Sequence, residues 1–493
     1  MNSKQRLIPP KKERCNIIVQ RVKKVNGMDE PQHFDLLCIG SGPAGIRAAI
    51  QATNLRKRAG VIERRRLVGG NCVDTGTIPS KTFREAVLSF THASTHFERH
   101  QDTRLQHRPT AEQLLRKVAA VIDRETEVLE DQLWRNDIDL IQGEASFKDP
   151  HTLLVSSEEG SRTVTAAHIL IAVGTTPAPP PGVSVDGEVI ISSDDIVQLN
   201  RLPRRMAVIG GGVIGIEYAS MFAALKLDVT VIDKREHLLT FLDEEIVEEL
   251  VHQMRNRDVT FRLGEAVEHL DIHEGPPRQA VIHLESGKRI VSDLVLFSAG
   301  RIGATAQLNL EAAGLSANER GLLKVDNQFR TEVPHIFAAG DVIGYPSLAA
   351  TSAEQGRFAA DFAFGVKAKP MTEHFPFGIY AIPELSMVGA TEHELTTKKI
   401  PYETGVARYK EIARGQILGD DSGLVKLIFH RDERTLLGVH AIGTGATELI
   451  HIGQAILRLG QGLDYFLDTV FNYPTLAECY KVAALNASNK ISQ

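Results

Sequence analysis

The feature that most constrains this chain is a strand, glycine turn, helix and strand pattern that occurs twice. In the first copy the apolar run FDLLCIG is followed by SGPAGIRAAIQAT, which has helical character, and by the short strand AGVIE. In the second copy RMAVIG, GGVIGIEYASMFAAL and DVTVID follow in the same order. Each copy predicts a βαβ unit. We therefore expect an α/β protein with two Rossmann-like dinucleotide-binding domains.

Three glycines occupy the turn of each copy, namely Gly40, Gly42 and Gly45 in the first and Gly210, Gly212 and Gly215 in the second. The first glycine permits the tight turn, the second lets the backbone approach a pyrophosphate, and the third lets the helix pack closely. The helix N-terminus then attracts the phosphates. An acid, Glu63 or Asp233, follows the third glycine by 18 positions, where a carboxylate accepts hydrogen bonds from a ribose. The two copies predict two dinucleotide sites.

Two further segments, IFAAGD and LIAVGTTP, are typical of strands that end against a nucleotide, and LVLFSAG predicts another short strand. IFAAGD ends in Gly340 and Asp341, and the following SLAATSAEQGRFAA predicts a helix whose N-terminus favours negative charge. LIAVGTTP contains Gly174, and LVLFSAG ends in Gly300; we assign both glycines to cofactor binding. From about Met371 the chain mixes strands with helices, which predicts an α+β domain.

Composition excludes several classes of protein. The 493 residues include 56 basic and 62 acidic side chains, a formal charge of −6, which does not favour nucleic-acid binding. No apolar run approaches the roughly 18 residues of a membrane-spanning helix. The four cysteines are scattered without metal-ligand spacing, so we predict no metal site and a cytoplasmic location; they are Cys15, Cys38, Cys72 and Cys479.

Residues 1–33 are rich in lysine and arginine, and their apolar run CNIIV is too short for a secretory signal. We expect a disordered basic extension, or a true start at Met28. An organelle transit peptide is the alternative.

The segment GGNCVDTGTIPSK, residues 69–81, together with both glycine fingerprints and IFAAGD, resembles the flavoprotein disulfide reductase family over about residues 34–490. The resemblance implies FAD on the first fingerprint, NAD or NADP on the second, and a homodimer or higher homo-oligomer. The implied domains are an FAD-binding domain at 34–175, an NAD(P)-binding domain at 176–284, a central region returning to the FAD domain at 285–370, and a C-terminal dimerisation domain at 371–493.

The resemblance also implies roles for single residues. Gly70, Cys72, Thr77 and Lys81 would line the FAD site, with Lys81 near the flavin N5 and paired with Glu217. A buried lysine without a partner is costly, so this pair makes physical sense. We predict Lys81 and Glu217 as the catalytic residues.

Two departures from the family pattern decide the expected reaction. The family's disulfide reductases have two cysteines five positions apart, but position 77 here is Thr, which cannot join Cys72 in a redox disulfide. The segment FNYPTLAE has Tyr473 where those reductases have a histidine, although Glu478 is retained. Losing both halves of the thiol chemistry indicates a different reaction. The GTIPSK segment with Thr77 and the FNYPT ending resemble the branch of the family that lacks the disulfide, and this resemblance implies an NAD(P) transhydrogenase activity. FAD would carry hydride from NADPH to NAD⁺, which predicts ping-pong kinetics.

The residues leave several questions open. Asp233 favours the 2′-hydroxyl of NAD, while Lys234 and Arg235 either neutralise the 2′-phosphate of NADP or are ordinary solvated charges. Cys72 is either a small apolar filler or a thiol that forms sulfenic acid. For His451 we expect a satisfied core residue, and for Tyr473 no chemical role. The competing functions are an NAD(P)H oxidase or diaphorase and a non-catalytic flavin nucleotide sensor, with a dihydrolipoamide dehydrogenase the weakest alternative.

Overall fold

The computed structural model describes residues 32–98, 108–180, 183, 185–367, 371 and 374–491. The predicted extension at 1–33 lies outside these residues except for Gln32 and His33, which belong to the first strand, Gln32–Ile39. The extension therefore ends earlier than predicted, because hydrogen bonding to the neighbouring strand already begins at Gln32. Among the described helices none is long and apolar enough to cross a membrane.

The chain folds into two compact units. The first comprises the described parts of Met1–Asp74, Asp123–Thr176 and Ile302–Met371, and the second those of Thr75–Ile122, Pro177–Arg301 and Thr372–Gln493.

These units differ from the predicted domains in two places. Residues 75–122 interrupt the predicted FAD domain, because Phe83 and Leu114 pack in the same apolar core as Phe222 of the second unit. The return to the first unit begins at Ile302 rather than at 285, because the strand Leu294–Phe297 pairs with Arg205–Ile209. The predicted boundary at 285 is therefore wrong.

A seven-stranded sheet forms the centre of the first unit. In hydrogen-bonded order, six of its strands are Asp139–Gln142, Ala59–Glu63, Gln32–Ile39, Gly160–Ile171, Thr152–Ser157 and Glu144–Asp149. The first four run parallel and the last two form an antiparallel meander. The seventh, Ile336–Ala338, pairs in parallel with the carboxyl end of Gly160–Ile171. The apolar runs FDLLCIG, AGVIE and HIFAAGD are thus confirmed as strands.

Two helices of the first unit pack against each other at very close range. The fingerprint helix Pro43–Asn54 lies beside Ala349–Ala363, the helix predicted after IFAAGD. A β-carbon built at Gly356 would lie 2.1 Å from the carbonyl oxygen of Ala44, so only glycine permits this approach. The remaining helices of this unit are Gly70–Asp74, Leu310–Ala313 and Asp341–Ile343, and Ala111–Arg135 includes residues of both units.

The second unit contains the second predicted Rossmann-like sheet. Its five parallel strands, in order, are Thr260–Leu263, Asp228–Asp233, Arg205–Ile209, Leu294–Phe297 and Ile190–Ser192. The fingerprint helix Val213–Ala224 follows the central strand, and its buried residues form a core with the helices Thr77–Glu98 and Glu244–Arg255. An antiparallel three-stranded sheet packs nearby, with strands Val267–His273, Gln279–Leu284 and Arg289–Ser292.

The C-terminal part of the second unit is α+β, as predicted. Five antiparallel strands are ordered Phe377–Ile379, Leu385–Gly389, Leu436–Ile442, Leu424–His430 and Tyr402–Arg408. The helices Ala446–Arg458 and Glu478–Ile491 pack on this sheet. The shorter helices of the second unit are Ser193–Gln198, which lies before its C-terminal part, and Glu392–Thr397, Tyr409–Glu411, Ala413–Leu418 and Leu463–Asp468 within that part. The short strands Thr175–Pro177 and Arg301–Gly303 lie where the chain passes between the units.

Candidate functional site

The first glycine turn has the geometry that a pyrophosphate requires. Gly40 has a φ of +107°, and a β-carbon at Gly45 would lie 1.9 Å from the Gly40 carbonyl oxygen. Both positions therefore need glycine for the turn and for helix packing. A β-carbon at Gly42, by contrast, would meet no atom of the described chain within 4 Å, so the space beside this glycine is open. A dinucleotide phosphate fits this space at the start of the helix.

Further predicted residues of the first unit surround this turn. A β-carbon at Gly70 would lie 3.0 Å from the Cα of Gly42, and one at Gly340 would lie 3.4 Å from the Cβ of Ala44. Asp341 accepts a long hydrogen bond of 3.5 Å from Thr175 Oγ1. Gly174 has a φ of +66° and open space at its β-carbon position. The structure thus gathers Gly70 and Gly340 at the first turn and leaves room for a ligand.

The second glycine turn has nearly the same backbone geometry as the first. Gly210 has a φ of +104°, and a β-carbon at Gly215 would lie 2.0 Å from the Gly210 carbonyl oxygen. Gly212 again faces open space. Gly300, with a φ of +136°, follows the neighbouring strand, and its carbonyl oxygen accepts from Ala178 N. Both turns fit a dinucleotide.

Glu63 is 4% exposed and is held by the first turn. Its Oε2 accepts hydrogen bonds from Ser41 N at 2.9 Å and Ser41 Oγ at 2.5 Å, and its Oε1 accepts from Arg65 N at 2.8 Å. The Arg65 guanidinium turns away and forms an ion pair of 2.8 Å with Asp74. The Glu63 carboxylate therefore has main-chain and hydroxyl donors around it but no cation from Arg65.

Asp233 has a different environment from Glu63. It accepts hydrogen bonds from Gly211 N at 2.7 Å and from Arg235 N at 2.8 Å. The Arg235 side chain donates to both carboxylate oxygens, from Nε to Oδ1 at 2.9 Å and from Nη2 to Oδ2 at 2.7 Å. Burial acts to raise the pKa of Asp233, but these hydrogen bonds outweigh it and hold the pKa below its usual value. The adjacent Lys234 is exposed. The second site thus carries a guanidinium directly on the acid that is expected to bind ribose.

Lys81 and Glu217 form the predicted ion pair. Lys81 Nζ lies 2.9 Å from Glu217 Oε1 and 2.8 Å from Oε2, and Glu217 Oε1 also accepts from Tyr380 N at 2.8 Å. Glu217 is 3% exposed, whereas the Lys81 side chain is 26% exposed and its ammonium lies 5.0 Å from the Tyr380 ring centroid. The carboxylate is thus a buried anchor that holds an accessible ammonium in one position.

Sequence reasoning missed Tyr380 and a second ion pair on the same helix. Arg84 donates to the Ala381 carbonyl at 2.9 Å and pairs with Glu384 at 3.2 Å, with both side chains 8% exposed. Arg84 follows Lys81 by three positions, so the helical spacing predicts a shared face. No local signal indicates Tyr380, which lies far along the chain.

The thiol positions differ from a redox pair. Cys72 lies half-buried in the helix Gly70–Asp74, Thr77 begins the helix Thr77–Glu98, and no two described cysteines form a disulfide. Tyr473 is 67% exposed, and the buried Oε2 of Glu478 has no hydrogen-bond partner among the described residues.

The two histidines of the C-terminal part differ from each other. His451 is exposed and its Nδ1 lies 2.9 Å from Gln454 Oε1, so the expectation of a core residue is wrong. It lies on the outer face of Ala446–Arg458, whose apolar residues face the sheet. His440 is fully buried and its Nε2 donates to the Ala390 carbonyl; burial lowers its pKa.

Comparison with protein families shows two matches. The profile described as pyridine nucleotide-disulphide oxidoreductase matches residues 34–356, and the profile of the dimerisation domain of the same family matches residues 375–484.

Individual relatives agree with this assignment. A protein of Mycobacterium tuberculosis named soluble pyridine nucleotide transhydrogenase is 51% identical over 462 residues, 93% of this chain and 98% of the relative. A protein of Aliivibrio fischeri with the same name is 43% identical over 464 residues, again 93% and 98% of the two chains. Among solved structures, the HOCl-induced flavoprotein disulfide reductase of Escherichia coli superposes with a TM-score of 0.81 at 26% identity, covering 92% of this chain and 99% of that one.

Proposed function

Because this chain belongs to the pyridine nucleotide-disulphide oxidoreductase family and is an oxidoreductase, we propose that it catalyses NADPH + NAD⁺ = NADP⁺ + NADH with FAD as its resident cofactor. The names of the relatives from M. tuberculosis and A. fischeri support this reaction. The observation that carries the proposal is the second nucleotide turn, where Asp233 and Arg235 offer an acceptor for a ribose hydroxyl and a cation for a phosphate.

FAD is assigned to the first unit, whose glycine turn, Glu63, Gly340 and Asp341 would hold its phosphates, its adenosine ribose and its ribityl chain. When bound, FAD accepts hydride from one nicotinamide nucleotide and returns it to another. Open space beside Gly42 and the donors that orient Glu63 support this assignment.

The nicotinamide nucleotides use the second turn one after the other. With the first turn assigned to FAD, one fingerprint remains for NADPH and NAD⁺, so the first product leaves before the second substrate enters. This order of binding and release predicts ping-pong kinetics. Thr77 supplies no sulfur to pair with Cys72, and hydride therefore passes without a redox disulfide.

Asp233 and Arg235 adapt the second turn to both nucleotides. For NAD⁺, a ribose hydroxyl donates to the Asp233 carboxylate and competes with Arg235 for it. For NADPH, the guanidinium turns from the carboxylate to the 2′-phosphate, where two charge-assisted hydrogen bonds replace the two that it gives up. The Arg235 side chain is 48% exposed and can make this move without disturbing the core. Lys234 is exposed beside it and adds a second positive charge.

Lys81 and Glu217 are the proposed catalytic pair. A fixed positive charge stabilises the negative charge that develops during hydride transfer, provided that the charge is held in place before the reaction. The buried Glu217 carboxylate, oriented by Tyr380 N, holds the Lys81 ammonium in this way. The resemblance to the family supports the direction in which the ammonium acts, namely toward the flavin N5. Cys72 has no chemical role in this proposal.

We further propose a homodimer in the cytoplasm. The match of residues 375–484 to a dimerisation domain supports the dimer, and the exposed aromatic side chain of Tyr473 fits a surface that a second copy covers. The relatives' names include the word soluble, which supports the location.

The first test mixes the purified yellow protein anaerobically with NADPH and thio-NAD⁺ and follows formation of reduced thio-NAD. Many turnovers with parallel double-reciprocal plots are expected. Flavin that is reduced once and stalls until oxygen is admitted would instead favour an NAD(P)H oxidase. Bound FAD that NADPH does not reduce would favour a nucleotide sensor.

The second test addresses the choice of nucleotide. Removing charge-assisted bonds worth about 1.5–3 kcal/mol lowers affinity by roughly 10- to 150-fold, so Arg235→Ala should raise KM for NADPH by this order. KM for NADH should change much less, and Lys234→Ala should show a smaller effect of the same sign. Arg65→Ala is the matched control, because Arg65 has the same offset from Glu63; it should leave the NADPH to NADH preference unchanged. Equal losses for NADPH and NADH in Arg235→Ala would refute the role in selectivity.

A further inference from the structure

A cluster of two histidines and an aspartate lies on the outer face of the antiparallel three-stranded sheet in the second unit. His269 and His283 face each other across the strands Val267–His273 and Gln279–Leu284, and their rings stack with centroids 4.1 Å apart. Asp271 follows His269 by two positions, so its side chain points to the same face. Asp271 Oδ2 lies 3.0 Å from His283 Nε2 and 3.7 Å from His269 Nε2. Three potential ligand atoms therefore converge on one point.

The spacing of these atoms matches a first coordination shell. One ligand atom from each of the three residues lies within 4.8 Å of the other two. Zinc bonds of about 2.0–2.2 Å in tetrahedral geometry separate neighbouring ligand atoms by roughly 3.3 Å. The distances of 3.0 Å and 3.7 Å bracket this value, so small side-chain rotations are enough to bring all three atoms onto one ion.

A second carboxylate lies near the other ring nitrogen of His269. Glu268 Oε2 lies 3.7 Å from His269 Nδ1, the ring nitrogen that faces away from Asp271. The strand register shifts between Val267 and His269, so the regular alternation of faces is interrupted at Glu268. Metal-binding histidines usually give their second ring nitrogen to such a carboxylate, which fixes the ring and strengthens the ligand.

A second stacked histidine pair in the chain lacks these features. His151 and His335 lie 3.8 Å apart with nearly parallel rings in the first unit. One ring nitrogen of each already faces a main-chain carbonyl, that of Ala166 for His151 and that of Pro150 for His335. Ring stacking therefore does not by itself create a metal site, and the carboxylates of Asp271 and Glu268 distinguish the first cluster from this pair.

We propose that His269, Asp271 and His283 bind one borderline divalent cation of the zinc class, with water completing the coordination. Two imidazoles and one carboxylate suit Zn²⁺, Ni²⁺ or Cu²⁺ better than Mg²⁺ or Ca²⁺, which prefer oxygen ligands. Asp271 is 64% exposed and the cluster opens to solvent, so the ion exchanges without unfolding of the sheet. Bound metal links two neighbouring strands and stabilises them.

The inner face of the same strands shows where this stabilisation acts. Ile282 and Ala280 are fully buried and pack in one core with Ile232 and Ile209, whose strands carry Asp233 and the second glycine turn. The metal therefore braces the sheet that lies under the nucleotide-binding strands, without touching the residues proposed to bind nucleotide.

The test uses the FAD-bound full chain after chelator treatment and gel filtration, titrated with ZnCl₂ in a calorimeter. One saturable site per chain and a higher unfolding temperature in zinc are expected. His283→Gln and Asp271→Asn should each weaken binding at least 10-fold, with flavin content and turnover unchanged. His335→Gln, the matched variant in the other stacked pair, should bind zinc as the wild type does.

Three outcomes would overturn the proposal. The first is the absence of saturable binding, and the second is wild-type affinity in both His283→Gln and Asp271→Asn. The third is loss of binding in Cys72→Ser with full binding in the histidine variants, which would assign the ion to the thiol. If either hairpin variant fails to bind FAD, anomalous diffraction at the zinc edge from wild-type crystals decides the question. A peak among His269, Asp271 and His283 is expected, and a peak elsewhere refutes the site.

Discussion

The pair Lys81 and Glu217 predicts that stability and reaction rate respond differently to the same substitutions. Removing one partner of a buried ion pair costs about 3–5 kcal/mol, because the other charge loses its compensation. In Lys81→Met the buried Glu217 carboxylate keeps only the hydrogen bond from Tyr380 N among its described donors. The Lys81 side chain is 26% exposed, so water replaces part of the lost interaction, and we expect a cost of about 2–3 kcal/mol.

The double variant separates the two roles of Lys81. Glu217→Gln keeps an acceptor for Tyr380 N and leaves Lys81 near Ser80 Oγ and solvent, so it should cost about 1–2 kcal/mol. Lys81→Met with Glu217→Gln removes both charges, and its stability should return close to that of the wild type. The two single costs are not repeated in the double variant, so the cycle should give a coupling energy of about 3–5 kcal/mol.

Reaction rate should not recover with stability. Loss of a fixed group that stabilises developing charge typically slows a reaction about 100-fold or more. Both Lys81→Met and the double variant should show this loss, whereas Glu217→Gln, which retains the ammonium, should lose less than about 10-fold. Urea unfolding of the holoenzyme measures stability, and anaerobic stopped-flow bleaching of the flavin by NADPH measures the rate. A double variant that regains both would show that Lys81 is structural and would refute the reasoning.

The ion pair between Arg84 and Glu384 provides the matched control. It lies on the same helix, and both of its side chains are 8% exposed. Arg84→Met should lower stability by at least as much as Lys81→Met, because Arg84 is less exposed and also loses its bond to the Ala381 carbonyl. Flavin reduction in the folded fraction should stay within about threefold of the wild type. A large rate loss here would show that any damaged ion pair in this region slows the reaction.

Three further predictions concern other groups. Cys72→Ser should leave steady-state transhydrogenation nearly intact, and a large loss would reopen the sulfenic acid interpretation. Lys426 is 2% exposed and pairs with Asp243, Glu245 and Glu392, so Lys426→Met should cost at least about 3 kcal/mol in urea unfolding, while Lys410→Met at an exposed site should change little. Burial lowers the pKa of His440, so the unfolded chain binds its proton more readily and the free energy of unfolding should fall as pH drops below about 6.5. His440→Gln should flatten that fall, and equal pH slopes in both proteins would contradict this origin.

Much of the fold follows from local patterns. The apolar runs before each glycine turn and the helices after them lie where the sequence predicts them, because burial on a sheet imposes continuous apolar residues on the strands. The boundary at 285 was wrong because the apolar strand LVLFSAG would suit the sheet of either unit. Its assignment depends on pairing with Arg205–Ile209, a contact between distant segments that no local pattern contains.

The candidate site divides in the same way. Glycine spacing and the acid at its fixed offset predict both turns, because backbone geometry there allows few residue types. The direction of the Arg235 side chain is not predictable from the sequence. An exposed arginine is flexible, and the acceptors within its reach are known only once the chain is folded. The cluster at His269, Asp271 and His283 had a faint signal in the HLD pattern at 269–271, but the facing histidine depends on strand register.

The two acids show how one motif acquires two specificities. Arg65 and Arg235 each follow an acid by two positions and donate their N–H groups to it. Arg65 then pairs with Asp74, whereas Arg235 remains on Asp233. At the second turn a ribose hydroxyl must compete with a guanidinium for the carboxylate, which weakens NAD⁺, while a 2′-phosphate gains that guanidinium, which strengthens NADPH against the repulsion from Asp233. The opposing effects bring the two affinities closer together. A carrier that must release one nucleotide before taking the other requires this balance, because a large preference for either would leave the site occupied by it.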